Sequence, residues 1–189
     1  MIWKTVRQLR VLDFDLENRP LSYRGQEFTT AEVTAIAASW VGSDEVMCRV
    51  LTKRAGSARP MLAWFRKLWD EADVVTGHYI RKHDLPILQG ALMEHGLPSL
   101  GPKLTSDTML DLIRRKDLPA SQEFLAAMFG VSKPKPGMGQ KQWREANRLT
   151  PAGIEETKRR AIGDVEQHKE LRVRLIEEGV LRPPQVWRP

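Results

Sequence analysis

A single cysteine, Cys48, stands in a chain of 189 residues. One thiol excludes an internal disulfide and any zinc site built on cysteine. Long apolar runs are also missing. The longest, AIAASWV at 35–41, is far short of the ~20 residues that span a bilayer, so no membrane partner is expected. The opening residues, MIWKTVRQLRVLDFD, contain no apolar stretch followed by a small-residue cleavage site. The expectation is therefore no signal peptide and a cytoplasmic, intracellular protein. Internal repeats and a convincing domain boundary are wanting too. That points to one domain over residues 1–189, with an extended tail from about residue 180.

What is present is an ordinary globular composition, 41% hydrophobic and 29% charged, long enough to bury a real core. The net charge is +6 and the pI about 9.7, which favours a polyanionic partner. The excess is local. Between Ser132 and Leu149 stand Lys133, Lys135, Lys141, Arg144 and Arg148 against one acid, Glu145. A solvated basic loop is the plain alternative.

Residues 6–17 read as a first strand, and TAIAASWVG and EVMCRVLT as two more joined by a tight turn, an antiparallel meander. Met61, Leu62, Phe65, Leu68 and Trp69 mark the inner side of an amphipathic helix. DVVTGH is a short strand followed by a helix over about 84–95. PKLTSDTM is a fifth strand running into a short helix. A helix in ASQEFLAAMFGV follows, then a Pro- and Gly-rich loop over 132–151 with at most short helical turns, then a long helix from Pro151 to Glu178. The order predicts an α/β fold, a mixed five-stranded sheet flanked by helices.

The first strand carries Asp13, Asp15 and Glu17 at every second position. A strand sends such positions to one face, where like charges repel and lose solvation. Asp84, Asp107 and Asp164 stand at or near the ends of other elements. Each has a plain role available: a surface position for Asp13, helix capping for Asp84 and Asp107, and i±4 pairing with Arg160 or His168 for Asp164. Convergence in space would instead suit hard divalent cations, which prefer carboxylate oxygen.

Three stretches carry a resemblance. FDLENRP is similar to the first motif of the DEDD (DnaQ-like) 3′–5′ exonuclease superfamily, a strand ending in Phe-Asp-x-Glu. VVTGHYIRKHDLPIL resembles the second motif, and IGDVEQHKEL the third. SDTMLDL matches the Asp-Thr-Leu segment often found between the last two. The resemblance spans residues 11–175 and implies a ribonuclease H-like fold. It also implies a nuclease that uses two divalent ions, Mg²⁺ or Mn²⁺, on the 3′ ends of single-stranded DNA or RNA. Carried over, it makes Asp15, Glu17, Asp84 and Asp164 the metal ligands and catalytic residues. Asp13 falls to a supporting or surface position, and Asp107 supports the fold or site.

The departures concern the base. The superfamily places a His or Tyr four or five residues before the last Asp, where this chain has Arg159 and Arg160. Arginine keeps its proton and is no ordinary base. His168, one turn after Asp164, is one replacement; His78 and Tyr79 in the second motif are others. The expected strand-binding residues are His78, Tyr79, Arg81, Lys141, Trp143 and Arg160, cations and flat rings for phosphates and bases. An endonuclease on the same scaffold, or a catalytically weak nucleic-acid-binding protein, are the alternatives.

Overall fold

The computed structural model describes residues 8–20, 31–133 and 137–189. Strands β1 (Val11–Pro20), β2 (Ala31–Trp40), β3 (Met47–Val50), β4 (Val74–Gly77), β5 (Lys103–Asp107) and β6 (Gln185–Trp187) form one sheet. Its order is β3-β2-β1-β4-β5-β6. β1, β2 and β3 pair antiparallel, β4 and β5 run parallel to β1, and β6 returns antiparallel on β5. The helices are α1 (Ala58–Glu71), α2 (Asp84–Glu94), α3 (Thr108–Leu112), α4 (Gln122–Met128), α5 (Gln140–Asn147) and α6 (Pro151–Glu177).

Two expectations are corrected. The sheet has six strands, because the C-terminal tail pairs with β5. Its Trp187 meets Trp69 edge-on, ring centroids 5.8 Å apart, so the extended Pro-rich tail is held by an apolar anchor. The segment expected to be a loop contains α5, which runs for two turns behind the Gln142 side chain bonded to Gly139 N–H at 2.7 Å. The first strand begins at Val11; residues 6 and 7 and Trp3 lie outside the described residues.

Alternation along β1 sorts the two faces. Leu12, Phe14 and Leu16 enter the main core with Met61, Phe65 and Trp69 of α1 and Leu85 and Leu88 of α2. The opposite face turns to α6. There Ala35 and Ala37 of β2 meet Ala161 and Val165 in a small-residue contact that lets the long helix lie close to the sheet. Gly153 serves the same purpose at the other end of α6, since a Cβ there would lie 2.1 Å from the Glu145 carbonyl oxygen of α5. No helix of the described residues is long and apolar enough to cross a membrane.

Cys48 lies half-buried on β3. Burial pushes its thiol from 9.0 up to about 11, against the opposing pull of Lys158 and Arg49. Since the thiolate is the reacting form, alkylation of the folded protein at pH 8 is expected to run about a hundredfold slower than in urea. Equal rates in the two states would contradict that environment.

Candidate metal centre

The carboxylates of β1 and the long helix α6 meet in step. Two strand residues advance about 6.7 Å and four helical residues about 6 Å, so i+2 on β1 keeps pace with i+4 on an opposed α6. Glu17 Oε1 lies 2.7 Å from Arg160 Nε. Asp15 faces Asp164, and Asp13 lies 2.8 Å from Nδ1 of His168 and 3.7 Å from Nε of Arg172. The three acids that sequence alternation places on one face thus meet three successive turns of one helix.

Asp15, Glu17 and Asp164 each offer a carboxylate oxygen within 4.8 Å of the other two. Asp15 is half-buried and the other two are buried. The donor set is all carboxylate oxygen, which fits a hard divalent cation and not a soft one. Asp84 is the first residue of α2 and lies outside that trio. It is buried, accepts the Leu16 N–H at 3.2 Å and lines the same cleft.

The cleft has a volume of ≈ 290 Å³. β1 contributes Asp15, Glu17 and Asn18; the turn after β4 and the start of α2 contribute His78, Tyr79, His83 and Asp84; α6 contributes Arg160 and Asp164. Gly77 lets that turn close against β1, since a Cβ would lie 2.7 Å from the Phe14 carbonyl oxygen. His83 and Asn18 enter the sequence reading only inside the quoted motifs, and convergence in space is what brings them to the cleft.

Tyr79 sits in the left-handed region, φ 67. Asp107 holds the strained turn together. Its Oδ1 accepts the N–H of Tyr79 at 3.0 Å and of Leu110 at 3.1 Å, and its Oδ2 accepts the N–H of Arg81 at 2.9 Å. Burial raises the Asp107 carboxyl above the usual range, while these three N–H groups pull it back. Asn tolerates positive φ far better than Tyr. Tyr79→Asn is therefore expected to stabilise the fold by about 0.5–1 kcal/mol, a rise in Tm of roughly 2–4 °C by calorimetry. A lower Tm would show that ring packing outweighs the strain.

The remaining site candidates separate. His168 is buried away from the cleft, with Nδ1 on Asp13 and Nε2 3.1 Å from Thr108 Oγ1, and that hydroxyl lies 2.9 Å from His78 Nδ1. One helical turn beyond Asp164 is one strand step deeper along β1, which is why His168 meets Asp13. Arg81 is spent on the far edge of the sheet, bonding Thr105 Oγ1 at 2.6 Å and Gln185 at 3.2 Å, where it ties β6 to β5. Lys141 is exposed on α5. Trp143 of the same helix lies under the Arg160 guanidinium, 5.2 Å from it. Arg160 Nη2 is also 3.8 Å from Asp164 Oδ2, so one cation bridges two members of the trio.

No protein-family model matches the chain, and no curated protein matches it in sequence. Among solved structures it is similar to the family B DNA polymerase from the hyperthermophilic archaeon Pyrobaculum calidifontis, with a TM-score of 0.74 and 18% identity. The match covers 92% of this chain and only 25% of the polymerase, so the chain spans a quarter of that protein's length. Sheet order and this likeness together define a ribonuclease H-like α/β fold.

Proposed function

We propose that the protein is a divalent-metal-dependent nuclease that removes nucleotides from the 3′ ends of single-stranded DNA or RNA. The observation that carries this reading is the convergence of Asp15, Glu17 and Asp164 within 4.8 Å on a partly buried cleft. Three carboxylates so close repel one another, and a divalent cation would offset that repulsion more fully than the single charge of Arg160. In this reading the trio holds two ions, Mg²⁺ or Mn²⁺, with Asp84 completing the set. Such ions supply an acidified water and charge neutralisation at the phosphoryl group when bound. Support also comes from the resemblance, because all three DEDD-like motifs line one cleft, and from a fold shared with part of a DNA polymerase.

Arg160 stands at the position of the superfamily's usual base and keeps its proton. Both ring nitrogens of His168 are engaged by Asp13 and Thr108, which suits a supporting role. The imidazoles that line the cleft are His78 and His83. They are proposed to orient the attacking water, with Tyr79 and Trp143 as flat surfaces for bases and Lys141 and Arg160 as cations for phosphates.

The test is incubation of a 5′-labelled single-stranded oligonucleotide, DNA and RNA in parallel, with Mg²⁺ or Mn²⁺. A metal-dependent ladder that shortens from the 3′ end is expected. Internal fragments from the first time point would replace the exonuclease by an endonuclease, and intact substrate in both metals would overturn the nuclease reading.

The Arg160 bridge favours a second reading, a binding protein whose acidic trio is neutralised by its own arginine. If Arg160 competes with metal, Arg160→Gln is expected to tighten Mn²⁺ binding about tenfold or more, since a full charge leaves the ligand shell. Calorimetric titration of both proteins checks it. Equal affinities would show that Arg160 swings clear when metal arrives and would remove the basis of the second reading.

A further inference from the structure

Next to the carboxylate cleft lies a second, larger one of ≈ 520 Å³, walled by Arg19, Glu32, Lys53, Arg54, His95 and Arg148. Asn18 lines the first and its chain neighbour Arg19 the second. Arg19 is neutralised by Glu32, 2.5 Å away, and fixed by the Asn147 carbonyl at 2.6 Å. Lys53, Arg54 and Arg148 are different. All three are exposed, and none of them has a carboxylate partner among the described residues. They come from two separate segments, the turn between β3 and α1 and the junction of α5 with α6, so the fold itself gathers three uncompensated positive charges around one concavity. Some exposed arginines elsewhere are paired, as Arg115 is with Asp117 and Arg159 with Glu156.

We propose that this cleft is a second anion site, which grips backbone phosphates of the same polynucleotide strand whose terminus lies at Asp15, Glu17 and Asp164. The inference rests on the nuclease reading for its substrate and adds a determinant of strand length. A cleft of ≈ 520 Å³ is far larger than one phosphate needs, and cations spread over two segments suit a chain of phosphates. Arg19 of its lining stands two residues after Glu17 on β1, so the two clefts draw on the same end of one strand.

The experiment measures binding of fluorescein-labelled dT4, dT12 and rU12 in EDTA by anisotropy, from 50 to 300 mM NaCl, for the wild type and for Lys53→Ala/Arg54→Ala/Arg148→Ala. Each phosphate neutralised on a single strand contributes about 0.7 to the slope of log K against log salt, so the triple variant is expected to lose about 2 from the slope on 12-mers. Its affinity for them near 100 mM falls about 10- to 100-fold, and dT4 is affected much less. Comparable losses on dT12 and rU12 assign the site to the shared phosphodiester backbone, and loss on one alone assigns it to that polymer. An unchanged slope overturns the proposal even if the wild type cleaves strands. A lost slope in a protein that cleaves nothing keeps the site and removes the nuclease reading. Circular dichroism and the single variant Arg148→Gln, expected to lose about a third of the effect, guard against misfolding; a folded Arg148→Gln with full slope also counts against the site.

Discussion

Asp15→Asn is expected to lower metal-dependent strand cleavage by about a thousandfold or more, because a metal ligand supplies several kcal/mol of transition-state charge stabilisation and each ~1.4 kcal/mol is tenfold in rate. The same substitution is expected to leave the fold intact and to make the metal-free protein slightly more stable. One of three carboxylates crowded within 4.8 Å loses its charge, and the repulsion falls with it. Glu17→Gln is expected to remove activity to a similar degree, and it also weakens the contact of Glu17 with Arg160 at 2.7 Å. Thermal unfolding with and without Mn²⁺ gives a readout independent of catalysis. The wild type should gain stability from Mn²⁺ by mass action and Asp15→Asn should not. A variant that cleaves at the wild-type rate, or one stabilised by Mn²⁺ just as the wild type is, would move the metal away from this trio.

The second large effect concerns stability. Asp13 is fully buried and faces His168 at 2.8 Å and Arg172 at 3.7 Å, which are themselves largely shielded from water. Asp13→Ala takes the carboxylate from between a buried imidazole and a largely shielded guanidinium. Breaking a buried ion pair by removing one partner costs about 3–5 kcal/mol. That is a large part of the roughly 5–15 kcal/mol that holds a domain folded. Urea denaturation of Asp13→Ala, His168→Leu and the double variant checks the assignment. The double variant is expected to be more stable than Asp13→Ala alone, because no imidazole is left stranded and an apolar side chain fills its place. A loss below about 1 kcal/mol for Asp13→Ala would mean that the pair behaves as an exposed one.

Alternation along β1 groups Asp13, Asp15 and Glu17, and the resemblance sets Asp13 apart as a supporting or surface residue; α6 then gives each acid its partners. Asp13 then becomes an internal anchor, Asp15 a proposed metal ligand and Glu17 a proposed ligand tied to an arginine. The end of the fifth strand was legible because Asp107 sits there with the chemistry of a helix cap, which it is. The helical character of 140–147 was not, because Pro and Gly on its flanks outweigh eight residues whose apolar face is only Trp143 and Ala146. The pairing of the tail depended on Trp187 finding Trp69, a contact between residues far apart in the chain.

Local chemistry therefore determined much by itself: the period-2 row of carboxylates on β1, the i, i+4 row of Arg160, Asp164, His168 and Arg172 on α6, and the sign of the net charge. Each follows from backbone geometry or composition, which neighbouring residues alone decide. Tertiary structure decided which carboxylate meets which helical turn, why His168 faces the interior, and why Lys53 and Arg148 share a cleft. Those outcomes depend on how α6 seats on Ala35 and Ala37 through Ala161 and Val165, and a shift of one turn would hand each acid a different partner. Packing, summed over many weak contacts between distant segments, sets that register.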